Sequence, residues 1–100
     1  MTKQSKLPAV YIAANFINGT IYIGVTSDLI KRIYEHQNEI IKGFTAKYGC
    51  KSLVYYEIYE DMETAILREK RLKKYRRQDK IKLIEKENPE WLDLYSSVIA

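Results

Sequence analysis

Two short β-patterned runs on either side of Asn18-Gly19 constrain the fold of this chain more than any other stretch. Ala9 to Ala14 and Thr20 to Val25 are rich in strand formers, and Asn-Gly tolerates the positive φ of a tight reversal. The two runs are therefore expected to close as an antiparallel hairpin through Asn15-Phe16-Ile17-Asn18-Gly19. Register then decides which side chains share a face. With an even number of loop residues, Ala9, Tyr11 and Ala13 fall beside Thr20, Tyr22 and Gly24, while Val10, Ile12, Ala14, Ile21, Ile23 and Val25 take the other side. The second face is a dry core layer. The first sets tyrosines among small residues and suggests room for a pocket.

The second run leads into Val25-Thr26-Ser27-Asp28 and an apolar-periodic stretch. Ser27 or Asp28 can accept the unpaired N–H groups of a first helical turn, so a helix is expected from about Asp28 to Lys42, closed by Gly43. Leu29, Ile30, Ile33, Ile40 and Ile41 form its buried stripe. Arg32 and His36, four residues apart, project as neighbours along the border of that stripe. Phe44 to Lys51 reads as a loop over the tyrosine face, and Ser52 to Tyr59 as a third strand. A second helix is expected from near Asp61 to about Arg77, and a third from about Gln78 to Glu87. Asn88 then has the chemistry of an N-cap with Pro89 at the first helical position, and Trp91 and Leu94 would pin the end onto the core. The expected organisation is a loose tail over 1–8, a single domain over 9–95 and a fraying tail over 96–100.

At 100° per residue, Met62, Ala65, Ile66 and Leu72 form the buried stripe of the second helix, with Glu69 at its centre. A carboxylate aimed inward is normally paired, hydrogen-bonded or bound to a cation. Two readings stand: an ion pair with Arg32 or a lysine, or a metal ligand. One carboxylate would leave water and phosphate oxygens to complete the shell, which suits magnesium.

One hundred residues, 46% hydrophobic, make one small domain. No run approaches the roughly 18 apolar residues of a membrane span, and Met1 to Lys6 lacks the apolar centre of a signal peptide. A cytoplasmic location is expected, with no membrane attachment and no obligate protein partner. The single cysteine, Cys50, excludes an internal disulfide framework and a cysteine-based zinc site. The net charge is +4, but nine basic and two acidic residues between Arg68 and Lys82 give that segment +7, leaving −3 for the rest. Arg68, Lys70, Arg71, Lys73, Lys74, Arg76 and Arg77 are the candidate nucleic-acid-binding set. The competing reading of the same run is a solvated helix face.

Ala9-Val10-Tyr11, then Tyr22-Ile23-Gly24 after ten further residues, followed by Arg32, His36, Glu69 and Asn88, resembles the GIY-YIG nuclease domain, in particular its small stand-alone bacterial members. Ala9 stands where the motif has glycine, and Val10 where it has isoleucine. The resemblance implies an α+β fold, a three-stranded, mainly antiparallel sheet flanked by three or more helices. It implies a DNA endonuclease that hydrolyses phosphodiester bonds with one divalent cation, Mg2+ or Mn2+. Branched or damaged DNA is the expected substrate, with a link to repair or recombination. On the same basis Tyr11 is favoured as base and Tyr22 as its phosphate-contacting partner, Arg32 stabilises charge, His36 assists proton transfer or orients a tyrosine, Glu69 holds the metal, and Asn88 lies near the site. His36 is the alternative base. A non-catalytic nucleic-acid-binding module that keeps the fold is the alternative function.

Overall fold

The computed structural model describes residues 7–38 and 49–99. Its centre is β1 (Ala9–Ala14), flanked by β2 (Ile21–Thr26) and β3 (Ser52–Ile58) in an antiparallel sheet of order β2-β1-β3. Every residue of β1 is buried. That is why its sequence, Ala-Val-Tyr-Ile-Ala-Ala, does not alternate with polar residues: both of its faces are covered.

The hairpin has the expected even register. Tyr11 lies opposite Gly24, and Ala13 opposite Tyr22. Val10, Ile12, Ala14 and Ile23 form one core cluster, and Ala9, Tyr11, Ala13, Leu29 and Ile33 belong to the other. In the turn only Asn18 takes positive φ, at 57°, while Gly19 does not. Between β1 and β3 the register shifts at Ile12/Ala13. Val54 is the extra residue, so Val54 and Tyr55 both turn toward Val10 and Ile12, and Leu53 and Tyr56 toward Tyr11.

Among the described residues four helices surround this sheet: α1 (Leu29–Gln37), α2 (Met62–Lys73), α3 (Arg77–Glu87) and the short α4 (Tyr95–Ile99). Asp28 is the N-cap of α1, its Oδ1 accepting the Lys31 N–H at 3.3 Å. Asn38 closes α1; the expected continuation to Lys42, the Gly43 cap, Ile40, Ile41 and most of the loop after them lie outside the described residues. The break between α2 and α3 comes earlier than expected. No glycine or proline marks it; Arg76 turns extended (φ −67°, ψ 157°), and α3 folds back so that Ile84 joins Ala65 and Leu72 against β1.

Asn88 is the C-cap of α3, its N–H donating to the Ile84 carbonyl at 2.9 Å, and not the N-cap of a new helix. Its side chain is drawn elsewhere. The amide nitrogen donates to the carbonyls of Val54 (3.0 Å) and Leu92 (2.9 Å), and the amide oxygen accepts the Leu92 N–H (3.0 Å). That knot holds Trp91 in the core with left-handed φ of 57° and its indole N–H on Glu85. Asp93 then accepts from the Leu53 N–H, the Tyr95 N–H and the Gln37 amide. Tyr95–Ile99 then form the short α4, with Tyr95 and Val98 packed beside the Tyr11 cluster.

Candidate active site

The small residues of the tyrosine face do not leave an empty pocket. Gly24 lies under the Tyr11 ring; a Cβ there would come 2.5 Å from the hydroxyl oxygen. Tyr11 thus fills the space itself and is wholly enclosed. Its hydroxyl reaches His36 Nε2 at 2.8 Å. The rings of Tyr11, Tyr22 and His36 form a triangle with centroid separations of 6.2, 5.5 and 5.8 Å.

His36 is 4% exposed and lies within the buried face of α1, alongside Leu29 and Ile33, and not at its border. Its Nδ1 is a buried atom without a hydrogen-bond partner among the described residues. Burial pushes the Tyr11 phenol well above its usual 10, reinforced by Tyr22 and opposed by the Arg32 guanidinium. Burial also holds His36 below 6.5, and Arg32 adds to that while Glu35 opposes it. At neutral pH the pair is consequently a phenol facing a neutral imidazole.

Arg32 occupies the border of the stripe. Its side chain is 37% exposed and its Nε lies 3.5 Å from Glu35 Oε1. Together with Thr26, Ser27, Asp28, Lys31 and Glu35 it lines a polar cleft of about 250 Å³ at the β2–α1 corner. The opening that the small residues suggested is therefore displaced to the helix start. Lys31 is exposed and Glu35 half-buried, and neither position carries a pattern in the sequence that marks it as lining a cleft. Gly24 had one: an even register places it under Tyr11.

Glu69 sits between buried Ala65 and Leu72 as the periodicity required, with its side chain 14% exposed. Its Oε2 is 2.9 Å from Lys73 Nζ, the lysine ion pair that was one of its two readings. Ala65 and Leu72 pack on the Val10 and Ile12 side of the sheet, and α2 lies along β2, the edge strand that carries Tyr22, as well as β1. The structure gathers Tyr11, Tyr22, His36 and Arg32, while Glu69 is held by Lys73 and Asn88 by Val54 and Leu92. Among the described residues no group of three or more His, Cys, Asp or Glu is arranged to hold a metal. A single shielded carboxylate fits a hard cation that keeps most of its water and takes the rest of its shell from a phosphate, as magnesium and manganese do.

The basic stripe is also redistributed. Arg68 is withdrawn from it: Nε and Nη2 bind the two Glu57 oxygens at 2.9 and 3.0 Å, and Tyr55 and Tyr59 donate to the same carboxylate. This network was invisible in the sequence because the β3 bulge decides the direction of Glu57. Arg76 pairs with Asp79, and Arg77 donates to the carbonyls of Asn18 and Gly19. Lys70, Arg71 and Lys74 are exposed.

The family model described as the GIY-YIG catalytic domain matches residues 7–84. The chain belongs to the GIY-YIG family. This is a nuclease family, which implies a nucleic acid substrate. A UPF0213 protein of Staphylococcus saprophyticus is 36% identical over 67 residues, spanning 67% of this chain and 82% of that protein. A UPF0213 protein of Clostridium perfringens is 38% identical over 65 residues, 65% of this chain and 70% of that one. A third, of Staphylococcus epidermidis, is 34% identical over 68 residues, 68% and 83% of the two chains. No solved structure matches the chain. Within the matched range the even hairpin register brings Tyr11 and Tyr22 to one face. Among the described residues no helix is long and apolar enough to cross a membrane.

Proposed function

We propose that this chain is a divalent-metal-dependent DNA endonuclease acting on branched or damaged DNA in repair or recombination in the cytoplasm. The observation that carries the reading is the enclosed Tyr11–His36 hydrogen bond, with Tyr22 beside it and Arg32 leading out to the polar cleft. Phosphodiester hydrolysis needs an aligned water, a proton acceptor and a cation facing the developing charge. The cleft accepts the phosphate at Arg32 and Lys31. Tyr11 and His36 act together as the acceptor: as the phenol takes the proton of the water, His36 Nε2 takes the proton of the phenol. Tyr11 has no exposed surface, so the water enters past Arg32 as the guanidinium turns from Glu35 to the phosphate. Tyr22, only half-buried, faces the substrate.

Glu69, now paired with Lys73, would hold Mg2+ or Mn2+. When bound, the ion would supply Lewis acidity for phosphodiester hydrolysis. Asn88 supports the site at a distance by fixing β3 and Trp91. Lys70, Arg71, Lys73, Lys74 and Arg76 attract the DNA backbone, and Arg77 shares its charge between DNA and the hairpin turn.

Incubating the purified chain with linear, flapped and branched DNAs plus magnesium or manganese tests this directly, beside Tyr11→Phe and Glu69→Ala. Cleavage by the wild type, abolished by either substitution, is expected. The complete enclosure of Tyr11 and the Glu69–Lys73 pair favour a second reading, a non-catalytic DNA-binding module. Salt-dependent binding without cleavage would select it.

A further inference from the structure

Phe16 and Ile17 stand at the tip of the β1–β2 hairpin with 66% and 56% of their surface exposed. The tip is held firmly. Asn15 Oδ1 accepts the N–H groups of Phe16 (2.8 Å) and Thr20 (2.9 Å), and the Gly19 N–H donates to the Phe16 carbonyl at 2.9 Å. The Phe16 ring rests against its own turn: a Cβ at Gly19 would come 3.0 Å from two ring carbons. From the helical layer, Arg77 Nη2 donates to the carbonyls of Asn18 (2.9 Å) and Gly19 (2.6 Å). Arg77 opens α3 inside the +7 segment, next to the exposed Arg76 and near the exposed Lys74.

A rigid apolar projection is thus bolted to the most basic part of the chain. Cations beside it would attract phosphates, and every base offers a face on which an aromatic ring can stack. Apolar side chains inserted at a base step also exploit places where stacking is already weak. We propose that Phe16 and Ile17 form a wedge that stacks on the bases at an unpaired or branched point in DNA. The inference rests on the nuclease reading above and supplies its substrate selectivity: continuous duplex closes the step that the wedge enters, and an unpaired base leaves it open. Little ordering entropy opposes the contact, because the turn is already fixed. Seven residues of strand and turn lead from Ala9, the cross-strand partner of Thr26 in the cleft, to Phe16. That is at most roughly 23 Å at ~3.3 Å per residue, the length of about seven nucleotides at ~3.4 Å each. One DNA can engage both the wedge and the cleft.

The test titrates the full chain, at low salt and without divalent metal, onto an intact duplex and onto the same duplex carrying one unpaired 2-aminopurine. The wild type should prefer the second DNA and change the fluorescence of the base. Phe16→Ala should bind the unpaired site about 5- to 100-fold more weakly and the intact duplex as before, and Phe16→Trp should keep the preference. Retained preference and fluorescence change in Phe16→Ala would overturn the wedge while leaving the nuclease reading standing. No binding of either DNA by the wild type would remove both. If Phe16→Ala altered only the sedimenting mass of the chain, the tip would be a contact between copies, and the wedge would again be overturned.

Discussion

Gly24 and Tyr11 are cross-strand partners, and a Cβ on Gly24 would stand 2.5 Å from the Tyr11 hydroxyl oxygen and 2.6 Å from the ring carbon that carries it. The glycine of this motif is thus the seat of the tyrosine. Gly24→Ala should push the ring off the sheet, break the Oη–Nε2 bond and cost about 1–3 kcal/mol through overpacking. Thermal denaturation should show a midpoint lower by several degrees. Cleavage under conditions where the variant is still folded should fall much further, by about 10²-fold or more. An active Gly24→Ala variant would mean that Tyr11 takes no part in the chemistry.

Stability should fall on both sides of a neutral plateau, for two separate reasons. His36 has a folded pKa below 6.5, so as the pH falls through 6.5 the unfolded chain takes up a proton that the folded chain refuses. Tyr11 is displaced upward, so above pH 10 the unfolded chain releases a proton that the folded chain keeps. Melting temperature measured across pH should decline below about 6.5, and His36→Asn should flatten that acidic limb. Tyr11→Phe should flatten part of the alkaline limb only, because burial and Glu57 raise Tyr55 as well.

Asn88→Ala should lower stability by about 2–3 kcal/mol, since it removes three side-chain hydrogen bonds and strands the buried Val54 carbonyl. Denaturant midpoints would measure the loss, and the strained Trp91 should become more exposed, seen as a red shift in its fluorescence. If turnover falls while the midpoint does not move, Asn88 acts on substrate and not through the turn.

Arg68 and its basic neighbours should separate cleanly. Arg68→Ala leaves the Glu57 carboxylate without its cation and should cost about 2–3 kcal/mol, less than a fully buried pair because both groups keep some solvent contact. Lys70→Ala and Arg71→Ala should each change stability by less than ~0.5 kcal/mol. Both should weaken DNA binding and reduce its salt slope by about one. Equal salt slopes across all three variants would show that Arg68 contacts DNA after all.

Local patterns determined a good deal by themselves. Ala9–Ala14 and its hairpin partner were legible because β-formers flank a turn dipeptide, and the even register sorted Tyr11, Tyr22 and Gly24 from Val10, Ile12 and Ile23. The helix start at Asp28 and the inward position of Glu69 followed from capping chemistry and a 3.6-residue period. Tertiary structure decided what those side chains meet. A helical stripe says that a residue points inward, not what lies there, so His36 moved from the border of α1 into its core and found Tyr11. Asn88 has the chemistry of either cap, and the Val54 carbonyl selected the C-terminal one. Arg68 carries the same charge as its neighbours, but the β3 bulge aimed Glu57 at it. Each of these depends on distances between segments far apart in the chain, which a local pattern cannot specify.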